Sequence, residues 1–209
     1  MFVGHYAAAF VAKRIEPETP LWSLVLAVQA VDVAWALLVL AGVEKVRLDP
    51  SLPSNPLDLY YMPYTHGLPA TLLWMLAAFL VGRAWLGRSG PALALAAATG
   101  SHWLLDLLVH RPDLPLWDDA HKVGLALWNH PLGAAALELG LLVATATALA
   151  RSGGLDRDRR RAFSVFAAGL VVAHLVVVLG ATPPGATALV AGALVFYLTL
   201  AWIARRVAP

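Results

Sequence analysis

Three side chains of metal-ligand type are spaced four residues apart in the segment 100–115. His102, Asp106 and His110 follow this interval, and a helix of 3.6 residues per turn places all three on one face. The residues between them are apolar. An imidazole, a carboxylate and a second imidazole in line can bind a metal ion; the alternative is a buried His–Asp hydrogen bond that joins two helices.

The composition indicates that the elements positioning these residues lie in a membrane. Of the 209 residues, 60% are hydrophobic and 13% are charged, and the mean hydropathy is +0.71. Long apolar runs at this composition are typical of an integral membrane protein. The chain has no cysteine, which excludes disulfides and thiolate metal sites. The net charge of +2 is small, so no nucleic-acid partner is expected.

We predict an all-α, polytopic transmembrane bundle with six long spans and a short N-terminal membrane-embedded helix. The short helix covers residues 2–12 and cannot cross a bilayer, since crossing takes about 20 residues. The spans cover residues 20–43, 66–87, 91–110, 130–150, 162–180 and 187–204. Residues 1–150 would form the metal-site domain, and residues 151–209 would supply two C-terminal scaffold helices of the same bundle.

Basic residues are divided unequally between the two sets of loops, which predicts the orientation. One set of loops holds eleven Lys and Arg residues, whereas the polar loops 44–65 and 111–129 together hold four. Because cytoplasmic loops carry the excess, we expect the basic turn 151–161 and the C-terminus to be cytoplasmic. The two polar loops then lie together outside, and the ionisable residues converge between the midplane and the outer face.

Three further spans or helices contribute candidate ligands, because ionisable residues within spans normally face a bundle interior or a cavity. Asp32 is either a ligand or a neutral acid bonded to Gln29 or to a helix backbone. His66 is either a ligand or an interfacial histidine, with Thr65 capping the helix. His5 is either a ligand or a packed histidine. We predict that the metal is bound by His5, Asp32, His66, His102 and Asp106.

Other polar residues lie around this ligand set. Glu138 is an isolated acid in an apolar span and therefore requires a partner. Arg111 directly follows the His102–His110 strip, where it could hold an anionic group or extend to the membrane surface. We predict catalytic or outer-shell roles for Asp106, His110 and Glu138. We predict substrate contacts for Arg111, Asn129 and Tyr64, although tyrosines here also fit an interfacial aromatic belt.

Nitrogen and oxygen ligands without cysteine favour zinc, with manganese or iron as lesser options. More than four candidate ligands indicate two ions, which the central Asp106 would bridge. A two-metal site generates hydroxide and stabilises an in-line displacement.

Four short motifs follow one another along the chain: Gly4-His5, Asp32, Thr65-His66 and Ser101-His102-Trp103-Leu104-Leu105-Asp106. In these motifs residues 1–140 resemble the bacterial membrane-bound, metal-dependent hydrolases described as LexA-binding, inner-membrane-associated hydrolases. The family has a His-Arg pair just before its Thr-His, where this chain has Tyr61 and Met62. It often has two aspartates and a histidine where Asp32 stands alone. The ligand order is also similar to that of zinc-dependent phospholipases C and nucleases, which is an analogy about the site alone.

The resemblance implies a bacterial inner membrane and hydrolysis, but it fixes no substrate. We expect hydrolysis of a phosphoester or related bond in a lipid or lipid-linked substrate within the bilayer, with a metal-coordinated water as the nucleophile. One rival is a proton or metal-ion transporter that uses the same His and Asp groups as a relay; the sequence has no clear internal repeat that would support it. The other rival is a non-catalytic membrane scaffold with a structural metal.

Overall fold

The computed structural model describes residues 1–207 and is 67% helical. Its seven α-helices are α1 (His5–Ile15), α2 (Leu21–Leu40), α3 (Leu68–Leu86), α4 (Ser89–Val109), α5 (Pro131–Ala150), α6 (Arg157–Leu179) and α7 (Ala186–Val207). The six helices from α2 to α7 are long and apolar enough to cross a membrane. The predicted all-α bundle of six long spans is therefore confirmed.

Two helices depart from their predicted bounds. α1 covers His5–Ile15 instead of residues 2–12. α6 begins at Arg157 instead of residue 162, so the later part of the predicted basic turn 151–161 is helical. The reason is a helix cap: the Asp156 side chain accepts a hydrogen bond from the Arg159 backbone nitrogen at 2.8 Å. This cap satisfies a backbone donor that the first turn would otherwise leave unpaired.

The short helix α1 lies inside the bundle. It packs against α2, α4 and α5, and its residues His5, Tyr6, Ala9 and Phe10 are fully buried. α2 packs along both α4 and α7. One of the two predicted scaffold helices therefore lies directly against the helix that carries Asp32.

α3 packs mainly on α4 and is otherwise exposed. Thr71 and Gly82 are the buried residues of α3. A Cβ atom at Gly82 would lie 2.8 Å from Leu95 Cδ1 and 3.1 Å from Ala92 Cα, so the absence of a side chain permits the close contact with α4. The outward face of α3 is apolar, as expected for a helix that faces lipid.

Each of the two long polar loops contains a β-hairpin that the sequence did not predict. In the loop 44–65, β1 (Lys45–Leu48) pairs antiparallel with β2 (Leu57–Tyr61). In the loop 111–129, β3 (Leu114–Trp117) pairs antiparallel with β4 (Ala120–Val123). Lys122 Nζ donates a hydrogen bond to the Tyr60 carbonyl at 2.7 Å. The two loops therefore lie together at one end of the bundle, as predicted; the side of the membrane stays a prediction.

Candidate metal centre

Six ligand-type side chains from four segments meet inside the bundle. α1 supplies His5, α2 supplies Asp32, the turn before α3 supplies His66, and α4 with its C-terminal residue supplies His102, Asp106 and His110. All are buried except Asp32, whose side chain is 14% exposed. The five predicted ligands thus lie together, and Asp32 marks the side on which the site is accessible.

Ring nitrogens and carboxylate oxygens of the centre approach one another closely. His102 Nε2 is 3.1 Å from Asp106 Oδ2 and 3.5 Å from Asp32 Oδ1. His66 Nε2 is 3.5 Å from Asp32 Oδ1 and 3.7 Å from Asp106 Oδ2. Ligands at about 2.0–2.1 Å from a tetrahedral zinc ion are separated from one another by about 3.3 Å. The observed nitrogen–oxygen separations bracket this value, so they suit a small divalent ion.

Two overlapping groups meet the distance requirement of a metal site. The first comprises His5, Asp32 and His102, and the second comprises His66, His102 and Asp106; within each group one atom per residue lies within 4.8 Å of the others. A buried His/Asp group in this chain could therefore hold a metal ion. Because both groups include His102, the Nε2 lone pair of this residue can serve one ion at a time.

The ring nitrogens themselves indicate that a ligand belongs here. The Nε2 atoms of His5 and His102 each lie 3.1 Å from an Asp106 oxygen, yet neither forms a hydrogen bond of acceptable geometry within residues 1–207. Buried polar atoms are normally paired. A cation between these atoms would satisfy the ring nitrogens and the carboxylates at once.

The charge of the site leads to the same requirement. In the part of the chain that the structure describes, no Lys or Arg pairs with Asp32 or Asp106, and their side-chain partners are histidines; the Met1 nitrogen also contacts Asp106. A buried and a largely buried carboxylate need compensating positive charge. The Met1 ammonium group supplies one charge at Asp106, and protonated imidazole or a bound cation can supply the rest. Only the bound cation leaves the histidines free to act as ligands.

Contacts at Nδ1 direct the Nε2 lone pairs of two α4 histidines inward. His102 Nδ1 lies 2.7 Å from the Val28 carbonyl, and His110 Nδ1 lies 2.8 Å from Asp113 Oδ1. Because a carbonyl and a carboxylate oxygen accept hydrogen bonds, both Nδ1 atoms donate. Each Nε2 is then unprotonated in the neutral ring and faces Asp106, which is the arrangement of metal-bound histidines.

His66 is oriented by a relay that the sequence did not reveal. The Thr65 hydroxyl donates to Glu44 Oε2 at 2.7 Å. Since its proton is used there, the Thr65 oxygen accepts from His66 Nδ1, 2.8 Å away. Glu44 also accepts from the backbone nitrogens of Tyr64 and Thr65 at 2.8 and 3.0 Å. The relay leaves His66 Nε2 unprotonated toward Asp32.

Glu44 is almost fully buried, at 1% exposure. Burial raises the pKa of its carboxyl above the usual value, whereas the hydrogen bonds from Thr65 and Tyr64 act in the opposite direction. In the sequence, Glu44 follows an apolar span and precedes a charged segment. Because ordinary acidic residues of loops have the same surroundings, the sequence gives no reason to assign Glu44 to the site. The alternative in which Thr65 caps a helix is wrong, because α3 begins at Leu68 with Gly67 at its cap position.

His5 is held by stacking and by the start of its helix. Its ring stacks on His102 with centroids 3.8 Å apart and planes 5° from parallel. Glu138 Oε2 accepts hydrogen bonds from the Phe2 and Gly4 backbone nitrogens at 2.8 and 3.1 Å, which are donors at the N-terminus of α1. Glu138 is thus outside both His/Asp groups, and its predicted catalytic role stays a prediction.

The predicted substrate-binding residues lie in the loops 44–65 and 111–129, at the end of the bundle that carries the two hairpins. Arg111 Nε donates to Asn129 Oδ1 at 3.0 Å, and Arg111 Nη2 donates to the Pro53 and Asn55 carbonyls at 2.7 and 3.1 Å. Arg111 therefore fastens the loop 111–129 to the loop 44–65 instead of extending to the membrane surface. Tyr64 is 51% exposed. Substrate contacts by Arg111, Asn129 and Tyr64 stay a prediction.

Two further contacts bear on Asp32. Tyr197 of α7 is buried beside the Asp32 carboxylate. From the sequence we predict no site residue in this helix. Gln29 is buried, and its side-chain oxygen and nitrogen have no hydrogen-bond partner within residues 1–207. The alternative in which Asp32 pairs with Gln29 is therefore wrong, and the neighbours of Asp32 are His66, His102 and Tyr197.

No family model, no curated protein and no solved structure matches this chain.

Proposed function

We propose that this chain is a membrane-embedded, metal-dependent hydrolase that cleaves a phosphoester or related bond in a lipid or lipid-linked substrate. The observation that carries the proposal is the buried His/Asp cluster, in which four pairs of Nε2 and carboxylate oxygen atoms lie 3.1–3.7 Å apart within two overlapping groups. The same proposal includes membership of the LexA-binding, inner-membrane-associated hydrolases, which the motif resemblance suggests.

Zinc is the metal that the donor set favours, with manganese or iron as alternatives. The ligands are imidazole nitrogen and carboxylate oxygen, a combination that suits zinc. A second ion, bridged by Asp106, is supported by the division of its two oxygens. Oδ2 faces His66 and His102 at 3.7 and 3.1 Å, and Oδ1, which the Met1 nitrogen also contacts, faces His5 at 3.1 Å.

A divalent ion in such a site lowers the pKa of a coordinated water to about 7 and polarises the bond to be cleaved. His110 is the residue placed to move the proton. Its Nδ1–H is held by Asp113 at 2.8 Å, so Nε2 can accept a proton and the Asp113 carboxylate stabilises the resulting imidazolium. His66 and His102 keep their Nε2 lone pairs toward the carboxylates and hold the ion in place.

A lipid substrate is supported by the position of the centre. The ligands come from helices that could cross a membrane, and Asp32 is the one ligand with appreciable exposure, at 14%. A headgroup can approach from the end of the bundle that carries the hairpins, while apolar tails stay among the helices. The unequal distribution of basic residues supports an orientation with this end outside and a cytoplasmic C-terminus, and the motif resemblance suggests a bacterial inner membrane.

The test is a hydrolysis screen on lipid extracts with purified protein in detergent, in which product release is followed by mass spectrometry. Wild-type protein should release a headgroup or phosphate from one lipid class, and His66→Ala and His102→Ala should abolish this turnover together with metal binding. His121→Ala is the control, because His121 lies exposed in β4 and should leave turnover unchanged. The proposal is wrong if metal-loaded protein turns over no lipid but gives His102-dependent ion flux in liposomes. That result would favour a transporter.

A further inference from the structure

A cavity lined by arginines lies at the end of the bundle opposite the hairpins. It forms where α5 ends and α6 begins, and its volume is about 660 Å³. Four of its lining residues are arginines and one is an acid, Asp158. The arginines are Arg151, Arg157, Arg160 and Arg161.

The guanidinium groups of this cavity are available to a ligand. All four arginines are exposed, and within residues 1–207 none of them forms an ion pair; the neighbouring Arg159, in contrast, pairs with Asp156 at 3.4 Å. Guanidinium groups bind phosphate oxygens in a bidentate manner. The cavity therefore has an excess of positive charge, and its guanidinium groups are of the kind that binds a phosphate.

A second cavity adjoins the first and is apolar. It has a volume of about 430 Å³, shares Asp158 and Arg161 with the arginine cavity, and runs between α6 and α7. Its other lining residues are Ala162, Val165, Phe166, Ile203 and Val207. A charged cavity is thus continuous with an apolar groove along two helices that could span a membrane.

We propose that this composite site binds one anionic phospholipid, with its phosphate in the arginine cavity and an acyl chain in the α6–α7 groove. Basic pockets between transmembrane helices recognise anionic headgroups in this way. A zwitterionic headgroup carries its own compensating charge, and a free phosphate fills only the charged cavity. The site is separate from the His/Asp centre and does not depend on the proposed hydrolase activity.

The experiment is a titration of delipidated full-length protein in detergent with phosphatidylglycerol, with native mass spectrometry used to measure the affinity of the first bound lipid. Two double variants remove equal charge: Arg160→Gln with Arg161→Gln inside the cavity, and Arg14→Gln with Arg83→Gln outside it. Two further variants test the groove at constant charge: Ala162→Trp fills it, and Ala168→Trp is exposed on the same helix outside it. Phosphatidylcholine and inorganic phosphate are the comparison ligands.

We expect the arginine variant in the cavity to weaken the first phosphatidylglycerol by about tenfold or more, and its control to change affinity less than about twofold, since the Debye length limits the reach of distant charges. Ala162→Trp should weaken binding and Ala168→Trp should not. Equal losses in both arginine variants would overturn the site in favour of diffuse surface charge. Full displacement by inorganic phosphate with no effect of Ala162→Trp would reduce it to an anion site. If the arginine variant in the cavity aggregates, Arg151→Gln with Arg157→Gln replaces it, and if Ala162→Trp aggregates, Val165→Trp replaces it in the groove.

Discussion

The relay from Glu44 through Thr65 to His66 predicts a specific effect of Glu44→Gln. The glutamine oxygen can still accept from the Tyr64 and Thr65 backbone nitrogens, which lie 2.8 and 3.0 Å from Glu44 Oε1. Its amide nitrogen then faces the Thr65 hydroxyl, now 2.7 Å from Glu44 Oε2. Thr65 must accept there, so it turns its own proton toward His66 Nδ1. The remaining proton of the neutral His66 ring moves to Nε2, the atom that faces the two carboxylates.

The expected loss of metal affinity in Glu44→Gln follows from the loss of one correctly oriented ligand. Outer-shell partners of metal-bound histidines contribute about 10–100-fold to metal affinity, which corresponds to about 1.4–2.7 kcal/mol. We expect Glu44→Gln to weaken metal binding in this range. Thr65→Ser retains a hydroxyl at the same position, so the relay stays intact and the metal affinity should stay within about threefold, although loss of the buried methyl group should lower the free energy of unfolding.

The assay is a competition between purified protein and a chelator of known zinc affinity, with thermal unfolding measured in parallel. ¹⁵N chemical shifts of the histidine rings report which nitrogen of His66 carries the proton. An unchanged zinc affinity in folded Glu44→Gln protein would refute the relay. A loss of affinity accompanied by Nδ1 protonation, as in the wild type, would refute the tautomer argument and leave only a structural role for Glu44.

Three further substitutions test the neighbours of the centre. Asp113→Asn removes the charge that supports His110 and should lower turnover by about tenfold while metal content by elemental analysis is retained; loss of metal would instead make His110 a required ligand. Glu138→Ala leaves the buried Gly4 nitrogen and the partly buried Phe2 nitrogen without their acceptor and should cost about 1–3 kcal/mol in unfolding free energy for the buried donor and less for the other, whereas an unchanged melting temperature would contradict its capping role. Arg111→Lys cannot reproduce the guanidinium contacts to the loop 44–65 and should speed proteolysis of that loop without loss of metal; equal proteolysis rates would show that the loops are held together by other contacts.

The spans and the convergence of ligands follow from the sequence because they depend on strong, long-range patterns. Apolar runs of about 20 residues have few alternatives to a membrane helix. Once the spans alternate in direction, the depths of His5, Asp32 and His102 are constrained by the rise of 1.5 Å per residue. The four-residue spacing around Asp106 then places two histidines on its two oxygens, as observed at 3.1 and 3.5 Å.

The outer loops and the relay depend on contacts that no local pattern encodes. β1 and β2 are short, carry charged residues and are joined by a segment rich in proline, so they lack the apolar alternation that predicts strands. Glu44 becomes a site residue only because the turn before α3 folds back onto the end of α2. Tyr197 lies beside Asp32 because α7 packs along α2. The sequences of these two helices are almost uniformly apolar, so they contain no pattern from which this contact could be predicted.

The central claim is that the His/Asp centre binds a divalent ion, and X-ray absorption on protein purified without chelator tests it most directly. We predict at least one equivalent of metal, zinc by preference, with nitrogen and oxygen ligands at about 2.0–2.1 Å, imidazole scattering and no sulfur. His102→Ala should remove the ion and His121→Ala should retain it. Folded wild-type protein that contains only trace metal, and takes up none when zinc is added, would contradict the claim and leave the cluster as a buried hydrogen-bonded contact between helices.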